Sequence, residues 1–183
     1  MHGQGTFTWE SGARYEGSWS NNKKNGRGKM VYKDESVYEG TWKDDKRHGE
    51  GTMTWTNGTK YDGEFNEDIR HGTGKYTWPN GCTYDGAWEN GKRSGTGKLV
   101  YPDNSVYEGS FRNNLKDGKG IFKFADGSSY TGDWKDDLKH GRGAFTWADG
   151  MKFVGDFNLG ESKAGQLTTK DGHTRDIAGD DAQ

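Results

Sequence analysis

Aromatic residues alternate with polar residues along most of the chain, and glycines recur at fixed places in the same pattern. A Tyr-x-Gly-x-Trp motif returns every 23 residues. Its copies start at Tyr15, Tyr38, Tyr61, Tyr84, Tyr107 and Tyr130, with a degenerate copy at Phe153. Residues 38–42 and 49–55 alternate with a period of two and show no 3.6-residue apolar period, which indicates strands rather than helices. Each repeat is therefore predicted to form one hairpin.

Two kinds of turn would join these strands. The polar stretch at residues 43–48 predicts a six-residue loop. Gly58 suits a tight turn that needs a positive φ, but Glu35 stands at the equivalent position and fits poorly, so we expect a different turn at residues 32–37. The predicted fold is all-β, an elongated single-layer antiparallel β-meander of tandem hairpins, twisted and curled into a groove. At about 4.8 Å per strand, the rod would be on the order of 70 Å long.

The repeats also predict the organisation of the chain. The β-rod would occupy residues 1–165, with a half repeat at residues 2–14, full repeats from each motif tyrosine and a degenerate repeat from residue 153. Residues 166–183 would form a cap strand and, from residue 173, a mobile tail, because no repeat signature remains there. Residues 3–9 would be an unpaired edge carrying Phe7 and Trp9. This edge predicts either a closed two-fold dimer through one end or a chain cut from a longer rod.

Strand register follows from the alternation of faces. Closing the six-residue loop places Gly40 opposite Gly51 and Trp42 opposite Gly49, while the preceding turn places Gly28 opposite Trp42. Each indole would then lie between two glycines, which have no Cβ to block the ring.

Composition excludes several classes of protein. The chain has 31 Gly, 2 Pro and 25 aromatic residues (8 Trp, 9 Tyr and 8 Phe) among 183 residues. Leu, Ile and Val are too scarce for the core of a layered α/β enzyme. Proline is too rare for collagen, and aromatic residues are too frequent for a disordered chain. The net charge of -2 gives no bulk attraction for nucleic acid. A single cysteine, Cys82, excludes an internal disulfide and fits a reducing, cytoplasmic compartment.

The repeat resembles the MORN repeat. The resemblance rests on Tyr-Glu-Gly-Thr-Trp at residues 38–42, Asp-Asp-Lys-Arg-His-Gly-Glu-Gly at residues 44–51 and Asn-Gly at residues 57–58, and it covers residues 2 to about 165. It implies a single-sheet rod without a catalytic centre. It also implies a scaffold or adaptor in a cytoskeletal, ciliary or membrane-associated assembly, and hence a cytoplasmic protein associated with the cytoskeleton or a cilium.

A single sheet cannot bury both sides of its rings, so the aromatic face is the first candidate site. A helix or an extended peptide of a protein partner would complete the core, with Trp and Tyr as anchors. The predicted partner-binding groove consists of Tyr32, Tyr38, Trp42, Trp55, Tyr61, Trp78, Tyr84, Trp88, Tyr101 and Tyr107.

A column of basic residues supports a second hypothesis, a peripheral membrane module that binds anionic phospholipids or phosphoinositides. The predicted lipid-binding edge consists of Lys24, Arg47, Arg70, Arg93, Lys116 and Lys139. Such an edge would gain about 1 kcal/mol per charge at an anionic membrane surface. Acidic residues in the same loops, such as Asp44, Asp45 and Glu67, favour a solvated, balanced edge instead.

No catalytic or metal chemistry is predicted. His48, His71 and His140 share one repeat position, and consecutive copies would lie about 9–10 Å apart, too far to share one zinc ion. Cys82 follows the Asn80-Gly81 turn with no in-register histidine nearby. We therefore expect no enzyme activity, no cofactor, no metal and no nucleic-acid partner.

Overall fold

The computed structural model describes residues 1–178, and these form sixteen β-strands in one antiparallel sheet. Each strand neighbours the next one in the chain, so the sheet is a meander without crossovers. No helix occurs within residues 1–178. The predicted all-β meander is confirmed.

Two compact units make up the chain, residues 1–92 and the residues from 93 onward. The first unit contains β1 (Gly3–Thr8), β2 (Arg14–Ser20), β3 (Lys23–Val31), β4 (Val37–Lys43), β5 (Lys46–Thr54), β6 (Lys60–Asn66), β7 (Ile69–Thr77) and β8 (Thr83–Glu89). At the boundary lies β9 (Lys92–Val100). The second unit continues with β10 (Val106–Arg112), β11 (Leu115–Lys123), β12 (Ser129–Lys135), β13 (Leu138–Thr146), β14 (Lys152–Asn158), β15 (Glu161–Thr168) and β16 (Thr174–Ile177).

The C-terminal segment contains more strand than its sequence pattern indicates. Residues 174–177, within the span predicted to be a mobile tail, form β16 and pair with β15, where Leu167 lies opposite Arg175. The rest of the predicted tail, residues 179–183, lies outside the described residues.

The predicted six-residue loop is wrong, because β4 and β5 extend into it. The strands end at Lys43 and resume at Lys46, which leaves a two-residue turn. Asp44 and Asp45 both have positive φ, 48° and 70°. Two such residues give the turn a twist that matches the twist of the flanking strands. Short polar side chains tolerate this conformation, which is why the turn forms without glycine.

The register differs from the predicted one at both neighbours of Trp42. Gly40 lies opposite Gly51 as predicted, but a bulge in β5 then brings Arg47, not Gly49, opposite Trp42. On the other side, Gly26 rather than Gly28 pairs with Trp42. A shift of two residues leaves every side chain on its predicted face, so the facial pattern holds while the pairing was wrong.

The turn at Glu35 is the same as the turn at Gly58, contrary to expectation. Glu35 has φ 66° and Gly58 has φ 86°. Their amides donate to Tyr32 O and Trp55 O, each at 3.0 Å. At Glu35 the turn is reinforced by Asp34, whose Oδ1 accepts from the Ser36 amide at 3.1 Å and the Ser36 hydroxyl at 2.6 Å. These hydrogen bonds offset the cost of the left-handed backbone conformation of Glu35, which is about 1–2 kcal/mol.

One glycine from each of the strands β1 to β15 lies opposite a glycine of a neighbouring strand, which forms a glycine line in each unit. The first line is Gly5, Gly17, Gly28, Gly40, Gly51, Gly63, Gly74 and Gly86. The second is Gly97, Gly109, Gly120, Gly132, Gly143, Gly155 and Gly165. A Cβ on Gly51 would stand 2.6 Å from the Tyr38 ring. The glycines therefore make room chiefly for tyrosine rings, not for the indoles as predicted.

The motif side chains form the core, and their polar groups are hydrogen-bonded in the repeat that begins at Tyr38. Tyr38 has no exposed surface, and its hydroxyl donates to Thr41 O at 2.9 Å. The Trp42 indole Nε1 donates to Gly28 O in the preceding strand at 3.2 Å. The two rings meet edge to face with centroids 5.0 Å apart, a favourable aromatic geometry. The Trp42 bond thus links its hairpin to the preceding one, whereas the Tyr38 bond stays within its own strand.

Candidate functional site

Most of the predicted groove is interior. Tyr38, Trp42, Tyr61, Tyr84, Trp88 and Tyr107 are buried in the core. The other four predicted groove residues, Tyr32, Trp55, Trp78 and Tyr101, are half-buried and remain accessible. They immediately precede the tight turns and share one repeat position.

We call the residues at this position the turn column. In the first unit it consists of Trp9, Tyr32, Trp55 and Trp78, and in the second of Tyr101, Phe124 and Trp147. The predicted groove omitted Trp9, Phe124 and Trp147, although their repeat position was visible in the sequence. What the sequence did not reveal is that every ring of this position stays accessible while the motif Tyr and Trp are buried by neighbouring hairpins.

A cleft separates two rings of the turn column in the first unit. Its volume is about 630 Å³, and its lining includes Tyr32, Trp55, Met53 and Arg47. Lys33, Asp34 and Ser36 complete the rim. Aromatic walls with a few polar groups at the rim are typical of surfaces that recognise peptides.

The predicted lipid-binding cations lie over aromatic rings instead of projecting freely from an edge. Lys24 Nζ is 4.2 Å from the Trp42 ring centroid, and Lys116 Nζ is 4.6 Å from that of Trp134. Arg70 Cζ is 4.5 Å from the centroid of Trp88. Arg47, Arg93 and Lys139 lie 4.9–5.3 Å from their nearest rings in the same way. All six residues are half-buried, so they act as cation–π lids on the core.

Polar groups in the following hairpin turn contact most of these cations. Arg47 Nε lies 3.0 Å from Asp68 Oδ1, and Lys116 Nζ lies 4.0 Å from Asp137 Oδ1. The same turns bond to the backbone, since Asp68 Oδ1 also accepts from the Arg47 amide at 3.0 Å. Burial lowers the pKa of Lys24 and Lys116 although acidic neighbours act in the opposite direction. We expected these carboxylates to neutralise the charge of an exposed edge. Asp68 instead links its hairpin to the preceding one through the side chain and amide of Arg47.

The other face of the first unit carries a wider, polar depression of about 990 Å³. Glu16, Arg27, Lys29, Glu39 and Asp62 contribute to its lining. Glu16 lies opposite Lys29 on the neighbouring strand. Charges of both signs leave this surface balanced, so it shows no preference for one charged partner.

No group of three or more His, Cys, Asp or Glu side chains within residues 1–178 is placed to hold a metal ion. The Cys82 amide donates to Asn80 Oδ1 at 3.1 Å, which gives this residue a place in an ordinary turn. No helix within the described part of the chain is long and apolar enough to cross a membrane.

Solved structures with a similar fold have sequences of low identity to this chain. The TCP domain of Drosophila melanogaster SAS-4, solved in complex with a proline-rich motif of Ana2, matches with a TM-score of 0.54 and 16% identity, over 96% of this chain and 90% of that one. The TCP10c domain of the same Drosophila protein matches with a TM-score of 0.49 and 15% identity, over 96% and 98%. At such identities, the first likeness concerns the fold alone. No curated protein sequence matches the chain.

The repeat itself identifies the family. The model of the MORN repeat matches seven consecutive segments, residues 1–14, 15–37, 38–60, 61–83, 84–106, 107–129 and 130–152. Their boundaries coincide with the 23-residue period and with the hairpins of the sheet. The chain belongs to the MORN-repeat family.

Proposed function

We propose that this protein is a non-catalytic scaffold that binds an extended segment of a partner protein along the turn column of its first unit. The observation that carries the proposal is the contrast within the aromatic face. The motif rings are buried, whereas Tyr32, Trp55 and Trp78 keep accessible surface, and Tyr32 and Trp55 line a cleft. Rings of this kind are the usual anchors of peptide recognition.

The spacing of the turn column favours an extended, proline-containing segment. Consecutive rings of the column belong to hairpins two strands apart, which corresponds to about 9.6 Å. A polyproline II helix rises about 3.1 Å per residue and so presents the same side every 9.3 Å or so. A segment with proline at every third position would therefore place one proline near each ring. The Drosophila domain of similar fold, solved with a proline-rich motif, supports this choice of occupant.

The direct test measures binding of a synthetic peptide with proline at every third position. We expect Trp55→Ala and Trp78→Ala each to weaken binding at least fivefold, equivalent to about 1 kcal/mol. Phe124→Ala, at the same repeat position in the second unit, is the matched control and should bind normally. Circular dichroism confirms that the variants are folded. Unchanged affinity in both folded tryptophan variants would refute the groove.

A peptide of the same composition with proline at every fourth position tests the period separately. It should bind at least fivefold more weakly, because its prolines fall out of step with the rings. Equal affinity for both peptides would show that the partner does not bind as a polyproline II helix. It would not contradict the role of the aromatic rings in binding. An amphipathic helix would then be the better occupant.

The lipid-binding alternative requires the basic column to meet a membrane surface. The structure keeps those cations half-buried over rings, which makes them less available. Flotation with vesicles containing phosphatidylserine separates the two hypotheses. Arg70 and Arg93 do not line the peptide cleft, so neutralising both should leave peptide binding intact. If vesicle flotation is salt-sensitive and is lost in that variant, the lipid function would be favoured.

Two further expectations remain predictions. A cytoskeletal, ciliary or membrane-associated location, predicted from the family, is checked by imaging the tagged protein in cells.

The homodimer through one rod end is checked by light scattering over a range of concentrations. A monomer at every concentration would refute the dimer.

A further inference from the structure

A second cleft lies wholly within the second unit, among strands β13 to β16. Its volume is about 380 Å³, which falls in the range of roughly 300–1,000 Å³ common for small-molecule sites. Its walls are largely apolar and include Phe145, Trp147, Phe157, Leu167 and Ile177. Lys139 and Arg175 are the two basic residues of the lining.

Lys139 places an ammonium group against the apolar wall. Its Nζ is 4.9 Å from the Phe145 ring centroid and 5.4 Å from that of Phe157. The residue is half-buried. Burial lowers the pKa of Lys139, and no carboxylate opposes that effect.

Three of the six cations of the column, including Lys139, lack a carboxylate in the next hairpin turn. In each repeat the residue 21 positions after the cation belongs to the next hairpin turn. That residue is Asp45 for Lys24, Asp68 for Arg47, Gly91 for Arg70, Asn114 for Arg93, Asp137 for Lys116 and Gly160 for Lys139. Arg70 compensates by donating to Gly91 O at 2.9 Å. Lys139 forms no side-chain hydrogen bond or ion pair within residues 1–178.

We propose that this cleft binds a small organic acid, an apolar body that carries one carboxylate. The carboxylate takes the place that an aspartate of the turn holds beside Lys116, and so pairs with Lys139. The apolar body lies against Phe145, Trp147 and Leu167. A partly desolvated cation without a counter-charge gains more from an anionic ligand than an exposed one does. The site shares no residue with the peptide cleft of the first unit and does not depend on it.

Decanoate below its micelle concentration is a suitable probe, with decanol as the uncharged control of equal chain length. Titration calorimetry should show decanoate binding at least tenfold more tightly than decanol, a difference of about 1.4 kcal/mol. Lys139→Met keeps the length of the side chain and removes its charge. In this variant the preference for decanoate should disappear while decanol binding changes little. A preference that survives in Lys139→Met would overturn the assignment.

Restoring the repeat pattern provides the complementary test. Gly160→Asp supplies the missing carboxylate from within the chain and should reduce decanoate affinity at least tenfold. Gly160→Asn is the matched control, because both side chains are short and face the same positive φ of 96°. It should bind decanoate within about twofold of the natural chain. Wild-type protein that shows no decanoate binding, or an Asp variant that binds as tightly as the Asn variant, would refute the proposal.

Discussion

The two units have the same kind of interior but differ along their hairpin-turn edges. In both, a buried motif tyrosine covers a glycine pair, as Tyr38 covers Gly51 and Tyr107 covers Gly120. The residue after the two-residue turn, however, is Lys23, Lys46, Ile69 or Lys92 in the first unit and Leu115, Leu138 or Glu161 in the second. Packing allows no variation beneath the rings, whereas a solvent-facing turn can change without disturbing the fold. Differences between the units are therefore concentrated where partners can reach them.

The edges also differ in how their charges are matched. Lys46 pairs with Glu67 at 3.1 Å in the first unit, but the corresponding Leu138 in the second is 43% exposed and apolar. Lys139, beside that leucine, lacks the turn carboxylate that Arg47 has in Asp68. The repeat therefore presents matched charges at Lys46 and Arg47 in the first unit, but an apolar side chain and an unmatched cation at Leu138 and Lys139 in the second.

Alkaline solution should have the largest effect and should act first on the first unit. Burial raises the pKa of Tyr15 and Tyr130 to about 12, and it also raises the pKa of Tyr38, Tyr61 and Tyr107. Unfolded tyrosine ionises near pH 10, so the unfolded state loses protons first and stability falls from about pH 10 to 12. The last hairpin has Phe153 at this position, which cannot ionise.

The measurement combines tyrosinate absorbance with circular dichroism across this pH range. Both signals should change together, and pulse proteolysis with an alkali-stable protease should leave fragments of the second unit. Tyrosines that ionise near pH 10 while the strand signal persists would show that the rings are not held as described.

A methyl group on the glycine line should be the most damaging single change, and equally so in both units. The Cβ of Gly51→Ala would stand 2.6 Å from the Tyr38 ring, and that of Gly120→Ala 2.5 Å from the Tyr107 ring. We expect each to lower the free energy of unfolding by about 3 kcal/mol or more, as overpacking against a fixed ring does. Gly58→Ala, which meets no atom within 4 Å, is the control and should cost about 1–2 kcal/mol through its positive φ alone. Urea denaturation measures all three, and an equal cost at Gly51 and Gly58 would contradict the packing argument.

Exchanging tyrosine and phenylalanine should have a smaller effect, with opposite signs in the two units. Tyr38→Phe loses the hydrogen bond to Thr41 O and should cost about 1 kcal/mol. Phe153→Tyr gives the last hairpin a hydroxyl at the same repeat position and should raise stability by up to about 1 kcal/mol. Thermal unfolding of the two variants checks both signs. A destabilised Phe153→Tyr would mean that the last hairpin packs its ring differently.

Changing the charge pairs at the edge should have the smallest effect on stability. Asp68→Asn removes the carboxylate beside Arg47 and should cost about 0.5 kcal/mol, as a partly exposed ion pair does. Lys139→Met removes a half-buried cation without a carboxylate partner and should leave stability unchanged or slightly higher. Urea denaturation of both variants tests this difference, which would be contradicted if Lys139→Met were the more destabilising.

The sequence predicted the strands, their antiparallel order and the faces of their side chains, because period-two alternation determines the face directly. It did not predict the pairing of Trp42 with Gly26 and Arg47, since a bulge in one strand and a displaced turn shift the register by two residues without altering any face. Nor did it separate the buried Tyr38 from the accessible Trp55, because both are aromatic residues on one face. That distinction arises from which ring the neighbouring hairpin covers. The sequence does show that Lys139 lacks a carboxylate partner, because position 160 is Gly. This could be recognised only after the structure had shown that the turn aspartates contact the basic column.

The ties between rings and strands have a consequence for how the chain folds. The hydroxyl of each of the six motif tyrosines bonds to a carbonyl three residues ahead, and each motif tryptophan that reaches a glycine carbonyl does so only 14 residues back. Contacts this local make for low contact order, which favours rapid folding. A structure built from nearest-neighbour couplings can nucleate at any hairpin and grow by adding the next one. The number of repeats can then change in evolution by whole hairpins without redesigning the interior.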